Sequence, residues 1–189
     1  MAVDTFADAA HSSQIGTTVT LNSGANFVID NASEYVALQF DSVTVQQGET
    51  ITSATLDVDS VDNDGGIITT AGDDSDDAAV LTSATNDISS RTTTTATVDT
   101  TMNSFGVESI DVTSIIQEIV NRGSWSYENR IVLVLEGNPP SNDDAELDLG
   151  SANMELRIDH PLGPPAAPDI TRRLTMDAGF PNNMHGGFQ

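Results

Sequence analysis

Two runs, "DVDSVDNDGG" (57–66) and "GDDSDD" (72–77), gather carboxylates densely enough to suggest metal chemistry. A hard cation such as Ca²⁺ takes about six to eight oxygens, and acidic loops are where such oxygens converge. The EF-hand register fails here: setting Gly65 at its sixth position leaves Ser60 first and Ala71 last. Asp62, Asp64, Asp73, Asp74, Asp76 and Asp77 are therefore the candidate ligands. The expectation is hydrated turns that hold Ca²⁺ or monovalent salt cations loosely, with no resident metal or cofactor. His11, His160 and His185 lie near the ends of the chain, outside any H-E-x-x-H spacing. Neither a G-x-S-x-G elbow nor a phosphate-cradling Gly loop is present. The acids fall in alternating strand positions or Asp-rich turns, where a solvated surface is the expected role, so catalysis is not expected. Trp125, the single Trp, has two possible uses: stacking on a sugar or filling a core. Its place between an apolar helix and an apolar strand points to the core, which leaves Tyr127 as the better exposed ring. The sequon Asn31-Ala32-Ser33 is short enough to arise by chance.

Charge narrows the function classes further. The 189 residues carry 29 Asp and Glu against six Lys and Arg, all six of them Arg, for a net charge of −23. Nucleic acid and anionic membranes are bound by Lys and Arg that displace counterions. An acidic surface repels both, so neither is an expected partner. In dilute buffer the surface also repels itself. Near 1 M salt the Debye length falls to about 3 Å and that repulsion fades. A salt-adapted protein is the reading. There is no Cys, which excludes disulfides and thiolate metal sites. No apolar run approaches the roughly 18 residues that span a bilayer. The opening residues lack a basic segment followed by an apolar one, so no secretory signal is expected.

The elements that must position these residues are mostly strands. "EYVALQF" alternates Val36, Leu38 and Phe40 with Tyr35, Ala37 and Gln39. "ITSATLDVDS" sets Ala54, Leu56 and Val58 against Thr55, Asp57 and Asp59, and "MELRID" repeats the pattern with Met154, Leu156 and Ile158. "TTTTATVD" (92–99) is nearly all β-branched. Turn residues bound each run, which predicts antiparallel strands in two packed sheets, an all-β sandwich. One stretch breaks the period. Val112, Ile115, Ile116, Ile119 and Val120 form a helical stripe, predicting one short helix over about 113–122. Ser114 and Gln117 are placed for a capping box, and Gly123 for the C-terminal turn. So short a helix needs a surface beneath it, and an open end of the sandwich is the expected one.

Composition changes sharply at "HPLGPPAAPD". Of the 29 acids 27 precede His160, whereas residues 160–189 balance Asp169 and Asp177 with Arg172 and Arg173. The same stretch holds five of the seven Pro. We therefore expect a sandwich domain over 1–160 and an extended Pro- and Gly-rich arm over 161–189. Ile170, Arg172, Arg173, Leu174, Met176, Phe180 and Phe188 are its candidate partner-binding residues.

"GETITSATLDV", "DDAAVLTSATNDISSRTTTTATVDTTM" and "VTSIIQEIVNRGSWSYENRIVLVLEG" follow one another in this order. Together, over about residues 35–160, they resemble the DNRLRE-type jelly-roll modules, carbohydrate-binding-like sandwiches that recur in tailed-phage virion proteins. The resemblance implies a jelly-roll fold and an adhesive, decorative or scaffolding role rather than an enzyme. Joined to the charge, it gives an expected virion structural protein of a tailed virus with a salt-adapted host. Its place would be the particle surface, as a capsid decoration, cement, turret or tail-fibre subunit docked by its arm. Other virion proteins are the expected partners, with homo-oligomerisation. The alternative is a glycan-binding adhesion module recognising the host surface; a cell-surface filament subunit is a third reading, weakened by the absent secretory signal. The charge yields a direct expectation: the melting temperature rises steeply between dilute buffer and molar KCl. A melting temperature flat across that range rejects salt adaptation.

Overall fold

Period-two alternation buries one face of each strand, and two such sheets bury their faces against each other. The computed structural model describes residues 2–61, 65–138 and 144–161. Among them are twelve strands and one helix. The strands are β1 (Ala2–Ala7), β2 (Ala10–Ile15), β3 (Thr18–Leu21), β4 (Asn26–Ile29), β5 (Glu34–Phe40) and β6 (Ser53–Ser60). Then come β7 (Ile67–Asp73), β8 (Thr93–Thr101), β9 (Gly106–Asp111), β10 (Ile131–Gly137), β11 (Ala145–Asp148) and β12 (Glu155–His160), with helix α1 (Thr113–Val120) between β9 and β10.

One sheet runs β1-β12-β6-β11-β4 with β9 on the other edge of β6; the second runs β3-β2-β5-β10-β7-β8. Every pairing is antiparallel. Setting aside β2–β4 and β11, the remaining eight strands lie in the order first-eighth-third-sixth in one sheet and second-seventh-fourth-fifth in the other. That is the winding of a jelly roll, the expected architecture. The strands β2–β4 widen both sheets, and β11 fills the corner between β6 and β4.

The inner faces form one core. Leu38, Phe40, Leu56, Ile68, Leu133, Leu135, Leu156 and Ile158 are all fully buried in it. Helix α1 contributes Ile115, Ile116, Ile119 and Val120, all buried, and touches β6 of one sheet and β7 and β8 of the other. It thus covers one end of the sandwich, as its stripe predicts. Gly72 on β7 makes that seat possible, because a Cβ there would come within 2.7 Å of Ile119 Cδ1 and 2.9 Å of Ile115 Cγ2. Trp125 completes the plug; it is 3 % exposed and its indole N–H donates to Val45 O at 2.9 Å. Tyr127 is half-buried.

The predicted capping box does not form. Val112 occupies the N-cap and makes no side-chain cap bond. Gln117 instead turns to the β5–β6 loop, accepting from Ile51 N–H at 2.8 Å and donating to Glu49 O at 2.9 Å. The N-cap amide has no need of Gln117, because Val112 N–H already donates to Ala54 O at 2.9 Å, whereas the loop backbone would otherwise lack a partner. The helix also ends earlier than expected, with Asn121 as its C-cap in ordinary right-handed backbone, so Gly123 is not required for a left-handed turn.

A second difference concerns the outer face of the β5–β10 sheet. Alternation assigns Ala37 and Gln39 to solvent, yet both are buried. The segment 74–92 lies over them, and Ala78, Leu81 and Ile88 pack against Ala37, Val132 and Val134. Glutamines satisfy its backbone: Gln39 Oε1 accepts from Leu81 N–H at 2.9 Å, and Gln14 Oε1 from Ile88 and Ser89 N–H, both at 3.1 Å. Truncating the plug tests the core assignment. Trp125→Ala is expected to cost roughly 3–5 kcal/mol, read as a lowered midpoint in denaturant, with no separate loss of binding. A fully stable variant that lost sugar affinity would place the ring in a ligand site instead.

Candidate functional site

The acidic run 72–77 is clamped by arginine rather than left to water. Arg91, with a side chain 7 % exposed, meets Asp73 at 2.6 Å and Asp87 at 3.3 Å and donates to the carbonyls of Ala79 and Val80. Arg122 holds Asp74 and, at 3.0 Å, Asp76. Arg130 meets Asp41 at 2.5 Å, while its backbone N–H donates to Asp77 Oδ1 at 2.9 Å. The turn is thus partly exposed but not merely hydrated: Asp73, Asp74 and Asp76 pair with arginine and Asp77 accepts a backbone N–H. Asp62 and Asp64 lie outside the described residues, and among the described residues no group of three or more His, Cys, Asp or Glu is arranged to hold a metal. Asp57 also departs from its expected solvent-facing position. It is 7 % exposed, accepts from Ser109 Oγ at 2.5 Å and pairs with Arg157 at 3.3 Å.

The most constrained titratable group is one the sequence placed merely near an end. His160, the last residue of β12, has a fully buried side chain. Its Nδ1 lies 2.7 Å from Glu49 Oε1 and its Nε2 3.2 Å from Asp4 Oδ2. Asp4 is held in turn by Thr44 Oγ1 at 2.5 Å, and Glu49 accepts from Gln46 N–H at 3.1 Å. Carboxylates only accept, so both ring nitrogens must donate, which only the imidazolium does. Burial works against that cation, but the bonds to Glu49 and Asp4 outweigh it and raise the pKa above the ordinary 6.5. The signal was present in the sequence: Met154, Leu156, Ile158 and His160 share one parity. With His160 and Glu49 buried and Asp4 at the rim, the trio is a structural lock. It ties β1, the β5–β6 loop and the end of β12 together at the point where the arm departs. The arm residues themselves, Ile170, Arg172, Arg173, Leu174, Met176, Phe180 and Phe188, lie outside the described residues.

The opposite end of the sandwich is open. Helix α1 sits at the Ser53 end of β6, where Val112 N–H donates to Ala54 O at 2.9 Å. At the Ser60 end, between the β1–β2 and β11–β12 turns, lies a cavity of about 370 Å³. Asp8, His11, Asn22, Gly150, Ala152 and Met154 are among its walls. Asp8 Oδ2 lies 2.7 Å from His11 Nδ1, whose other nitrogen faces Ser23 O at 3.0 Å. Here too both ring nitrogens face acceptors, and the hydrogen bond to Asp8 raises the His11 pKa. The second oxygen, Asp8 Oδ1, is buried with no hydrogen-bond partner. More carboxylates grip the far wall: Asp148 Oδ1 accepts from Gly150 N–H at 2.9 Å and Asp59 Oδ2 from Ser151 Oγ at 2.6 Å. Gly24 and Gly150 approach so closely that a Cβ on Gly150 would meet Gly24 O at 2.9 Å. Sequence reasoning missed this site because its residues come from four separate turns and strands.

No family model matches the chain, and no curated protein matches it.

The lock has a pH signature. A folded-state pKa above the unfolded one stabilises fully below about pH 6.5, and the contribution is lost as pH climbs through the raised value. In high salt, stability is therefore expected to decline from about pH 6.5 upward. His160→Gln should lower stability on the acid side and flatten that decline, with His11→Gln as the control for the second raised imidazole. Denaturant midpoints across the range read this out. An unchanged slope in His160→Gln would remove the imidazolium from the account.

Proposed function

We propose that the chain is a non-catalytic assembly subunit: a virion structural protein of a tailed virus with a salt-adapted host. It stands on the particle surface, as a capsid decoration, cement, turret or tail-fibre subunit, and residues 161–189 dock it to neighbouring virion proteins. The observation that carries the docking half is the His160 lock. The β12 strand ends in a buried ion-paired residue, so His160 gives the arm a fixed starting point. A fixed starting point is what a tether needs, because it limits the space its anchors must search.

Other features agree. All four arginines in the described residues are engaged with carboxylates within the sandwich. The described strands and helix form a core of their own. The arm's two acids balance its two arginines, so it approaches an acidic neighbour without the repulsion the sandwich would meet. The resemblance to DNRLRE-type modules supports the virion half, and the charge supports the salt-adapted host.

Truncation tests this. A chain ending at His160 is expected to be soluble, folded and monomeric in molar salt, and to be missing from purified particles that contain the full chain. Normal incorporation of the truncated chain would make the arm a passive extension. Failure of the truncated chain to fold would move the domain boundary.

A further inference from the structure

We propose that strand β1 is a self-pairing edge, to which β1 of a second copy adds antiparallel, joining two sheets into one. The inference rests on the assembly reading above only for why copies should stand side by side.

A sheet edge presents unpaired N–H and C=O groups, and proteins blunt such edges with charge, irregular ladders or very short strands. The edges of this molecule are treated unequally. Strand β8 carries the exposed Asp99, and its ladder to β7 is irregular. Strand β9 carries Glu108 and the exposed Asp111. Strands β3 and β4 are four residues each. None of these devices protects β1, whose six residues pair with β12 in unbroken register. Its one acid, Asp4, is turned to His160 and Thr44. Its exposed side chains are Val3, Thr5 and Ala7, and Val3 is 63 % exposed. On the strands beside it, the same face of the sheet bears Asp57, Asp59, Asp111, Glu155 and Asp159. In a chain of net charge −23, an equally acidic copy therefore meets least repulsion along β1.

The backbone supplies the bonds. Asp8 N–H donates to Met154 O, and antiparallel alternation turns the groups of Phe6, Asp4 and Ala2 toward β12 as well. Those of Val3, Thr5 and Ala7 face outward, and among the described residues β1 pairs with β12 alone. Charge then selects the register, because like charges directly opposite are destabilising. With Asp4 on the two-fold axis, Asp4 would oppose itself. With Phe6 there, Asp4 would oppose Asp8 of the other copy. Thr5 on the axis avoids both: it sets Thr5 against Thr5 and Val3 against Ala7. All three outward residues then exchange both their bonds in an isologous contact. One strand pair is small beside the roughly 1,200–2,000 Å² of stable interfaces. Dilute chains therefore stay apart, and the pairing is populated when an assembly holds copies close.

Cysteine trapping tests this, since the chain has no Cys of its own. Full-length Thr5→Cys, Val3→Cys and Ala7→Cys are treated with oxidised glutathione in molar KCl. Protein is kept at about millimolar, the concentration a short tether imposes. A hydrogen-bonded antiparallel pair sets its Cα atoms about 5.5 Å apart, within disulfide reach. Thr5→Cys is expected to form the covalent dimer at least about tenfold faster than Val3→Cys or Ala7→Cys alone. An equimolar mixture of Val3→Cys and Ala7→Cys should give the mixed dimer, identified by mass, as fast as Thr5→Cys dimerises. Equal rates at all three positions would mean random collision, and no dimer would mean a closed edge; either overturns the pairing. A chain ending at His160 and carrying Thr5→Cys is expected to trap equally well. Trapping gained only on truncation would make the chain's own arm the occupant of the edge, which also overturns it. Particle incorporation reads the docking separately. A full chain that incorporates while Thr5→Cys never traps would reject this edge and leave the docking reading standing; trapping by a chain absent from particles would do the reverse.

Discussion

The constraint on which the rest depends is a shortage of positive charge. With no Lys and four arginines before His160, the sandwich can neutralise only a few of its carboxylates. Three of the four are used at one place. Arg91, within the covering segment 74–92, pairs with Asp73 of β7, Arg122 and Arg130 of the loop between α1 and β10 hold Asp74, Asp76, Asp77 and Ala78 O, and that segment covers the apolar outer face of β5 and β10. Without these pairs, the closely spaced aspartates of 73–77 would repel one another and uncover Ala37, Val132 and Val134. Elsewhere the surface is left acidic, and screening by salt does what paired lysines do in other proteins. Arg91 and Asp73 are both largely buried, so their pairing outlasts high salt better than an exposed pair would.

What was legible in the sequence was whatever depends on near neighbours. Alternation in "EYVALQF", "ITSATLDVDS" and "MELRID" placed strands and their inner faces, and the stripe from Val112 to Val120 placed the helix. Trp125 was assigned to the core from the character of its flanks alone. What failed depends on residues distant in sequence. Ala37 and Gln39 alternate like a wet face, and only a segment some 40 residues on makes them dry. Gln117 was read as a local cap because its spacing to Ser114 permits one, but besides Asn121 its partners lie 66 and 68 residues away. The Asp8 cavity is the extreme case, since no periodicity records an oxygen left without a donor.

The two ends of the sandwich are therefore unlike. One is filled by α1 and Trp125 and carries the locked exit of the chain; the other keeps a cavity with an unsatisfied carboxylate oxygen. Edges are treated differently as well. On β8, an edge strand, the ladder to β7 is irregular opposite Gly72, and there the backbone N–H groups of Thr95 and Ala96 are taken by the two oxygens of Glu118. Those amides are thus satisfied where the strand ladder cannot satisfy them.

The pairing of β1 with β12 has a mechanical consequence. Ala2 faces His160 across the ladder, so the first and last strands of the sandwich have their outer ends side by side. Tension applied between those two points would open the ladder one rung at a time, the weakest direction for hydrogen bonds that lie across the strands. Tension between His160 and the cavity end runs along β12 instead, which is flanked by β1 and β6 on its two sides. That load shears both ladders at once, and many bonds must fail together. The module is thus stiff along its length and fragile at one corner. The ion-paired imidazole of His160, bonded to Asp4 of β1, sits on the rung where a tear would start.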